Sequence, residues 1–280
     1  MIATESVERI ANPSYEKPNF CPTPACRFCG LGIGDDDLFM ELHGEVPFLP
    51  IPRVPASLMT MLCAFPLGHH GGHVLLAPRR HYLSLARFPR QDELAEAMSA
   101  VAGVLEAMFP MHWLFAFEHG PGELEHRPVK CGGCHVDHAH GHVLVLDSSI
   151  AFDDVRALAE ETLEGLGWDL ASQAHEQEAG LVNIGDRSGE QPYLHIARLG
   201  RHGEARTYRQ EVAGQSIPSQ LLRRLVATAA GRATPTYWNW KIALQHNLRG
   251  RLDEYKRAAL GFKRELRAFL ADGTPAAVSA

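Results

Sequence analysis

Three histidines at alternate positions, His138, His140 and His142, lead straight into the run Val143-Leu144-Val145-Leu146. Alternate side chains of an extended chain share a face, so this spacing predicts a strand over 138–146 with its imidazoles together. Ala139, Gly141 and Val143 then face the other way, into packing. The small Gly141 lets another element come close. Imidazoles about 7 Å apart along a strand form a strip of nitrogen ligands or acid–base groups. The plain alternative is a solvated polar face.

The rest of the chain alternates short apolar runs with turn signals. HVLLA at 73–77 reads as a strand stopped by Pro78, and MHWLFAFEHG at 111–120 as another. Between them Leu94, Met98, Val101, Leu105 and Met108 recur at steps of three and four, which predicts an amphipathic helix over 91–109. Residues 121–134 carry Pro and Gly and read as a loop. A helix over 153–165 opens on an acidic turn that suits the helix dipole. PYLHIARLG and EARTYRQEV predict a hairpin. Residues 221–230 predict a helix closed by Gly231. Leu252, Tyr255, Ala259, Phe262, Leu266 and Phe269 make the stripe of a long last helix. The expected organisation is a loose arm (1–20), a domain that carries the histidines (21–150), a C-terminal αβ extension (151–271) and a disordered tail (272–280).

Composition narrows the function. The net charge is −6 with both signs interspersed, which argues against a general nucleic-acid binder. The N-terminus lacks the apolar core of a signal peptide, and no stretch approaches the roughly 20 apolar residues of a membrane span. The expectation is a cytoplasmic protein without membrane contact. There, the six cysteines are expected to be reduced, metal-bound or catalytic rather than paired. Sixteen histidines are the unusual count, and their crowding between Pro66 and His142 directs attention there.

The segments HAHGHVL, GHVLLAPRRHYLSL and CRFCG occur in the order and spacing of a known family. Together they resemble the histidine triad (HIT) superfamily, in its bacterial branch related to galactose-1-phosphate uridylyltransferase-type proteins. FEHG, ahead of the triad, is similar to that branch too. The resemblance covers 21–147 well and 148–250 weakly, through LLRRLVATAAG and YWNWK. It implies an α+β fold, an antiparallel sheet with a long helix packed on it, and the patterning agrees. It also implies nucleotidyl chemistry on a small, nucleotide-like substrate, either hydrolysis or transfer. His140 matches the family nucleophile, which forms a covalent nucleotidyl-imidazole. His142 matches the residue that binds phosphate oxygens and the leaving group, and His138 the one that orients the nucleophile or ligates a metal. Family members are commonly homodimers.

The resemblance further implies a structural zinc held by Cys26, Cys29, His81 and His138. The alternative for Cys26 and Cys29 is a pair of small buried residues. Cys131 and Cys134 form a second Cys-x-x-Cys that either holds another metal or is structural, and Cys21 has no assigned role. Arg79 stands where the family carries Lys and keeps the charge. His135 stands where the family commonly has a small hydroxyl residue that donates to phosphate, which is a departure. Either His135 donates to phosphate instead, or it joins His138, His140, His142, His119 and one of His69 or His70 around a second, catalytic transition metal. On that alternative the scaffold runs other chemistry, redox included, with copper, iron or zinc. His73 reads as structural. Glu118 either holds an imidazole at the substrate site or caps a loop. Trp238 and Trp240 either stack on a base or belong to the core.

Overall fold

The computed structural model describes residues 38–120, 122–124, 127–129, 138–167, 174–178, 192–199, 205–211 and 220–272. Its strands are β1 (Leu58–Leu62), β2 (His73–Pro78), β3 (Trp113–Gly120), β4 (Gly122–Leu124), β5 (Arg127–Val129), β6 (Gly141–Leu146), β7 (Ala174–Glu178), β8 (Tyr193–Leu199) and β9 (Ala205–Glu211). Its helices are α1 (Leu38–His43), α2 (Gln91–Met108), α3 (Phe152–Gly165), α4 (Leu221–Ala229), α5 (Pro235–Trp238), α6 (Trp240–Gln245) and α7 (Arg249–Ala271). Short 3₁₀ turns occupy His69–Gly71 and Leu85–Arg87. Seven strands form one sheet in the order β1-β2-β6-β3-β8-β9-β7, every neighbour antiparallel, and β4 pairs with β5 alone. This is an α+β fold. No described helix is long and apolar enough to cross a membrane.

Period two sorts the sheet into two faces. Val143 and Val145 of β6, with Leu114 and Ala116 of β3, bury against Leu94, Met98, Val101 and Leu105 of α2 and Ala259, Phe262 and Leu266 of α7. Leu144 and Leu146, with Phe115 and Phe117, bury against Val155, Ala159 and Leu163 of α3 and Leu222, Leu225 and Val226 of α4. Gly71 joins the end of the first turn to α7: at φ +80°, a Cβ there would lie 2.3 Å from the Ala258 carbonyl oxygen.

The expected hairpin is β8 and β9, but these strands do not form a separate body. With β7 they extend the sheet past β3, so residues from both sides of position 150 share one ladder. The expected loop at 121–134 contains the paired strands β4 and β5. The arm at 1–20 and the tail beyond 272 lie outside the described residues.

One buried ion pair ties the last helix down. The Lys263 ammonium on α7 donates to Glu45 Oε2 at 2.7 Å and to the Val46 carbonyl at 2.6 Å. Lys263 is fully buried, whereas Glu45 keeps partial access to water and can rehydrate if abandoned. Lys263→Ala is therefore expected to cost about 2–3 kcal/mol through the cavity and the orphaned carbonyl. Lys263→Met, which refills the space, is expected to cost less than about 1.5 kcal/mol. Urea denaturation of the two variants checks the order.

Candidate active site on the triad face

The triad does not ride on one strand. β6 begins only at Gly141, and His138 and His140 precede it. That stretch is held from outside the ladder: Ala139 N–H donates to the Tyr82 carbonyl at 2.6 Å. The other side of the pattern is as expected. Ala139 and Val143 are buried in the core with α2, and a Cβ on Gly141 would meet Leu85 at 3.1 Å.

Hydrogen bonds assign each ring a tautomer. A backbone N–H can only donate, and a carbonyl can only accept. Leu67 N–H donates to His73 Nδ1 at 3.2 Å, so neutral His73 carries its proton on Nε2. That Nε2 lies 2.8 Å from His142 Nδ1 and donates to it, leaving the His142 proton on Nε2. His140 Nδ1 lies 2.9 Å from the His138 carbonyl, so it carries the proton and Nε2 keeps its lone pair. His138 Nε2 donates to the Pro78 carbonyl at 2.7 Å, which leaves the lone pair on Nδ1. Three chemically equal side chains thus present different atoms: His142 an Nε2–H, His140 a lone pair on Nε2 and His138 a lone pair on Nδ1.

The rings crowd together in protein. Phe117 stacks on His142 with centroids 4.5 Å apart, and the His140 and His142 centroids are 5.0 Å apart. Burial holds His140 below the usual imidazole range, against the pull of the His138 carbonyl. Burial also holds His73 and His142 well below it, helped by the positive charge of Arg223. All three are neutral at pH 7.

Two more side chains join the cluster: His119, which the sequence offered on the metal alternative, and Arg223, which it did not single out. His119 has the parity of Phe117, so it shares the face of His142, and continuing the β3–β6 register sets it across from His140. Burial pushes its pKa down to about 3, with the nearby His140 the second cause. Arg223 of α4 is buried 160 positions from Cys63. Its guanidinium donates to the Phe65 carbonyl at 2.8 Å, the Trp238 carbonyl at 3.1 Å and Cys63 Sγ at 3.8 Å. Strand parity signals the first once the register is known. Nothing local marks Arg223 apart from a surface arginine.

Several expected site residues lie elsewhere. Glu118 is buried on the opposite face, where it accepts hydrogen bonds from Leu85 N–H and Tyr193 OH, so it caps a turn instead of binding substrate or an imidazole. Trp240 lies flat on Phe65 at 5.0 Å, and Trp238 Nε1–H donates to the Ala233 carbonyl. His69 packs on His70 and His112. His112 precedes β3, at the other end of that strand from His119, which removes His69 and His70 from the cluster. Arg79 follows β2, half-buried, with its amide on the Ser57 carbonyl at 2.8 Å.

The zinc expectation divides. His81 and His138 are in contact, ring centroids 5.1 Å apart and nearly perpendicular, and the His138 tautomer leaves Nδ1 as a ligand atom. These two imidazoles fit half of a Cys₂His₂ site. Cys26 and Cys29, like Cys21, Cys131, Cys134 and His135, lie outside the described residues. Among the described residues no group of three or more His, Cys, Asp or Glu is gathered as a metal would need. No family model matches the chain, and no curated protein matches it.

Proposed function

We propose that the chain is an enzyme of histidine-triad type that transfers or hydrolyses a nucleotidyl group through His140. The observation that carries the reading is the tautomer sorting: His140 presents a lone pair on Nε2, and His142, beside it, presents an N–H. In this reading His140 Nε2 bonds to the α-phosphorus while the P–O bond to the leaving group breaks. The ring becomes cationic, and its Nδ1–H bond to the His138 carbonyl strengthens as it does so. His142 stays neutral and donates a hydrogen bond without giving up its proton. That suits a leaving group able to depart as an anion, such as the phosphate of a sugar phosphate or nucleotide. Water or an acceptor hydroxyl then attacks phosphorus, sheds its proton to solvent, and the P–N electrons return to His140. A zinc at His81 and His138, when bound, supplies a structural tie beside the nucleophile and no step of the reaction.

The test is intact-protein mass spectrometry after brief incubation with nucleoside di- and triphosphates and sugar nucleotides, quenched at alkaline pH where N-linked phosphoryl groups persist. A mass gain of one nucleotidyl unit is expected, together with release of the leaving phosphate. No adduct and no release from any donor, alongside turnover that depends on copper or iron by elemental analysis, would transfer the site to the rival metal chemistry.

A further inference from the structure

On the face opposite His142 lies a buried polar group that the reaction does not use. Glu118 of β3 is 1 % exposed and Tyr193 of β8 fully buried. Glu118 Oε1 accepts from Leu85 N–H at 2.7 Å, and Tyr193 OH donates to Glu118 Oε2 at 2.5 Å. The same hydroxyl accepts from Ala86 N–H at 3.2 Å. Two adjacent amides at the start of the Leu85–Arg87 turn are thus capped by side chains from the two central strands. Gln91 holds the turn from the other side, donating to the Leu85 carbonyl at 2.8 Å and the Phe88 carbonyl at 2.6 Å.

This turn ends the segment that grips the triad. Its Pro78 carbonyl receives His138 Nε2–H, its Tyr82 carbonyl receives Ala139 N–H, His81 packs on His138, and Leu85 fills the space left by Gly141. Because His138 and His140 stand outside the ladder, their placement depends on this segment. We propose that Glu118 and Tyr193 are positioning residues of the triad, which fix the 78–86 segment and through it the His138 ring and the His140 backbone.

The chemistry of the clamp supports that role. A buried carboxylate stabilises a fold no better than an apolar side chain of the same shape, but its hydrogen bonds fix one geometry. Burial raises Glu118, while its two donors and the Arg209 guanidinium hold it down. Arg209 lies over the Tyr193 ring at 4.3 Å, and His195 stands across from Glu118 on β8. Gly120 completes the fit, since a Cβ there would come within 2.2 Å of the Tyr193 ring. The strands read as an extension therefore supply part of the triad's support.

The test is hydrogen exchange on the full chain, read at the Ala139 amide and the His138 ring proton by NMR. Glu118→Ala and Tyr193→Phe are compared with Leu163→Ala, which empties a fully buried position under α3 on the other face. All three lower global stability, so exchange is referred to the Val143 amide in the centre of β6. Relative to that amide, Ala139 is expected to exchange on the order of tenfold faster in Glu118→Ala and Tyr193→Phe, and no faster in Leu163→Ala. Glu118→Gln, which keeps an acceptor for Leu85, is expected to fall between. Tyr193→Phe removes only a hydroxyl and serves alone if Glu118→Ala does not fold. Ala139 protection that tracks Val143 in every variant overturns the proposal. The outcome is independent of what reaction His140 performs.

Discussion

His140→Ala is expected to eliminate the covalent adduct and to lower turnover by on the order of 10⁴- to 10⁶-fold, the range seen when a nucleophile is removed from a preorganised site. Its neighbours predict that the fold survives. His140 is partly open at the surface, and its Nδ1 bonds a backbone carbonyl only two residues away. His142→Ala separates the roles. It removes a donor and keeps the nucleophile, so adduct formation is expected to slow by about 10²- to 10³-fold without disappearing. Rate constants from quench-flow mass spectrometry, beside melting curves, measure both. An adduct that persists at full rate in His140→Ala would move the nucleophile elsewhere, and the neighbouring His119 would be the next residue to replace.

How much of this was legible in sequence follows from the range of the forces involved. Local periodicity reported local burial well: the stripe at 252–269 became α7, the one at 94–108 became α2, and Val143 to Leu146 became a strand with two apolar faces. β1 was missed because Leu58–Leu62 is buried on every side and shows no alternation. β7, AHEQE, was missed because every residue after Ala174 is polar. At the site, the period-two spacing identified the rings that cluster but misplaced the start of the strand. The force that pulls His138 and Ala139 off the ladder comes from Pro78 and Tyr82, about 60 positions away. Glu118 and His119 make the same point. Their opposite parity is visible in FEHG, but which of the two shares a face with His142 depends on the β3–β6 register, which no local pattern carries.

The crowd of neutral imidazoles also makes the fold sensitive to acid. His195 is buried, neither of its ring nitrogens has a hydrogen-bond partner among the described residues, and burial with the Arg209 charge pushes it down to about 3. His73 and His142 are depressed well below the usual value of 6.5 by burial and by neighbouring positive charge. For each, the folded pKa lies below the unfolded one, so below pH 6.5 the unfolded chain binds the extra proton. The stability is complete above pH 6.5 and is lost as pH falls, by about 1.4 kcal/mol per pH unit for each group. Glu118 works in the opposite sense. Raised to about 7, it binds its proton in the folded state first, and its contribution grows as pH falls from 7 to about 4.5. Glu118 offsets one imidazole and the buried His119 adds to the other side, so the net effect is a loss of stability as pH falls below 6.5. Unfolding is therefore expected to be cooperative and to lie on the acid side of pH 6.5. His195→Phe, which keeps an aromatic ring and removes the titrating nitrogens, is expected to flatten the slope by about 1.4 kcal/mol per unit and shift the midpoint to lower pH. Urea titrations at half-unit steps from pH 7 to 5 measure the slope directly. A stability that stays level across that interval would mean these imidazoles take up protons in the folded protein as readily as in the unfolded chain, and the burial assigned to His142 as a neutral donor would be wrong.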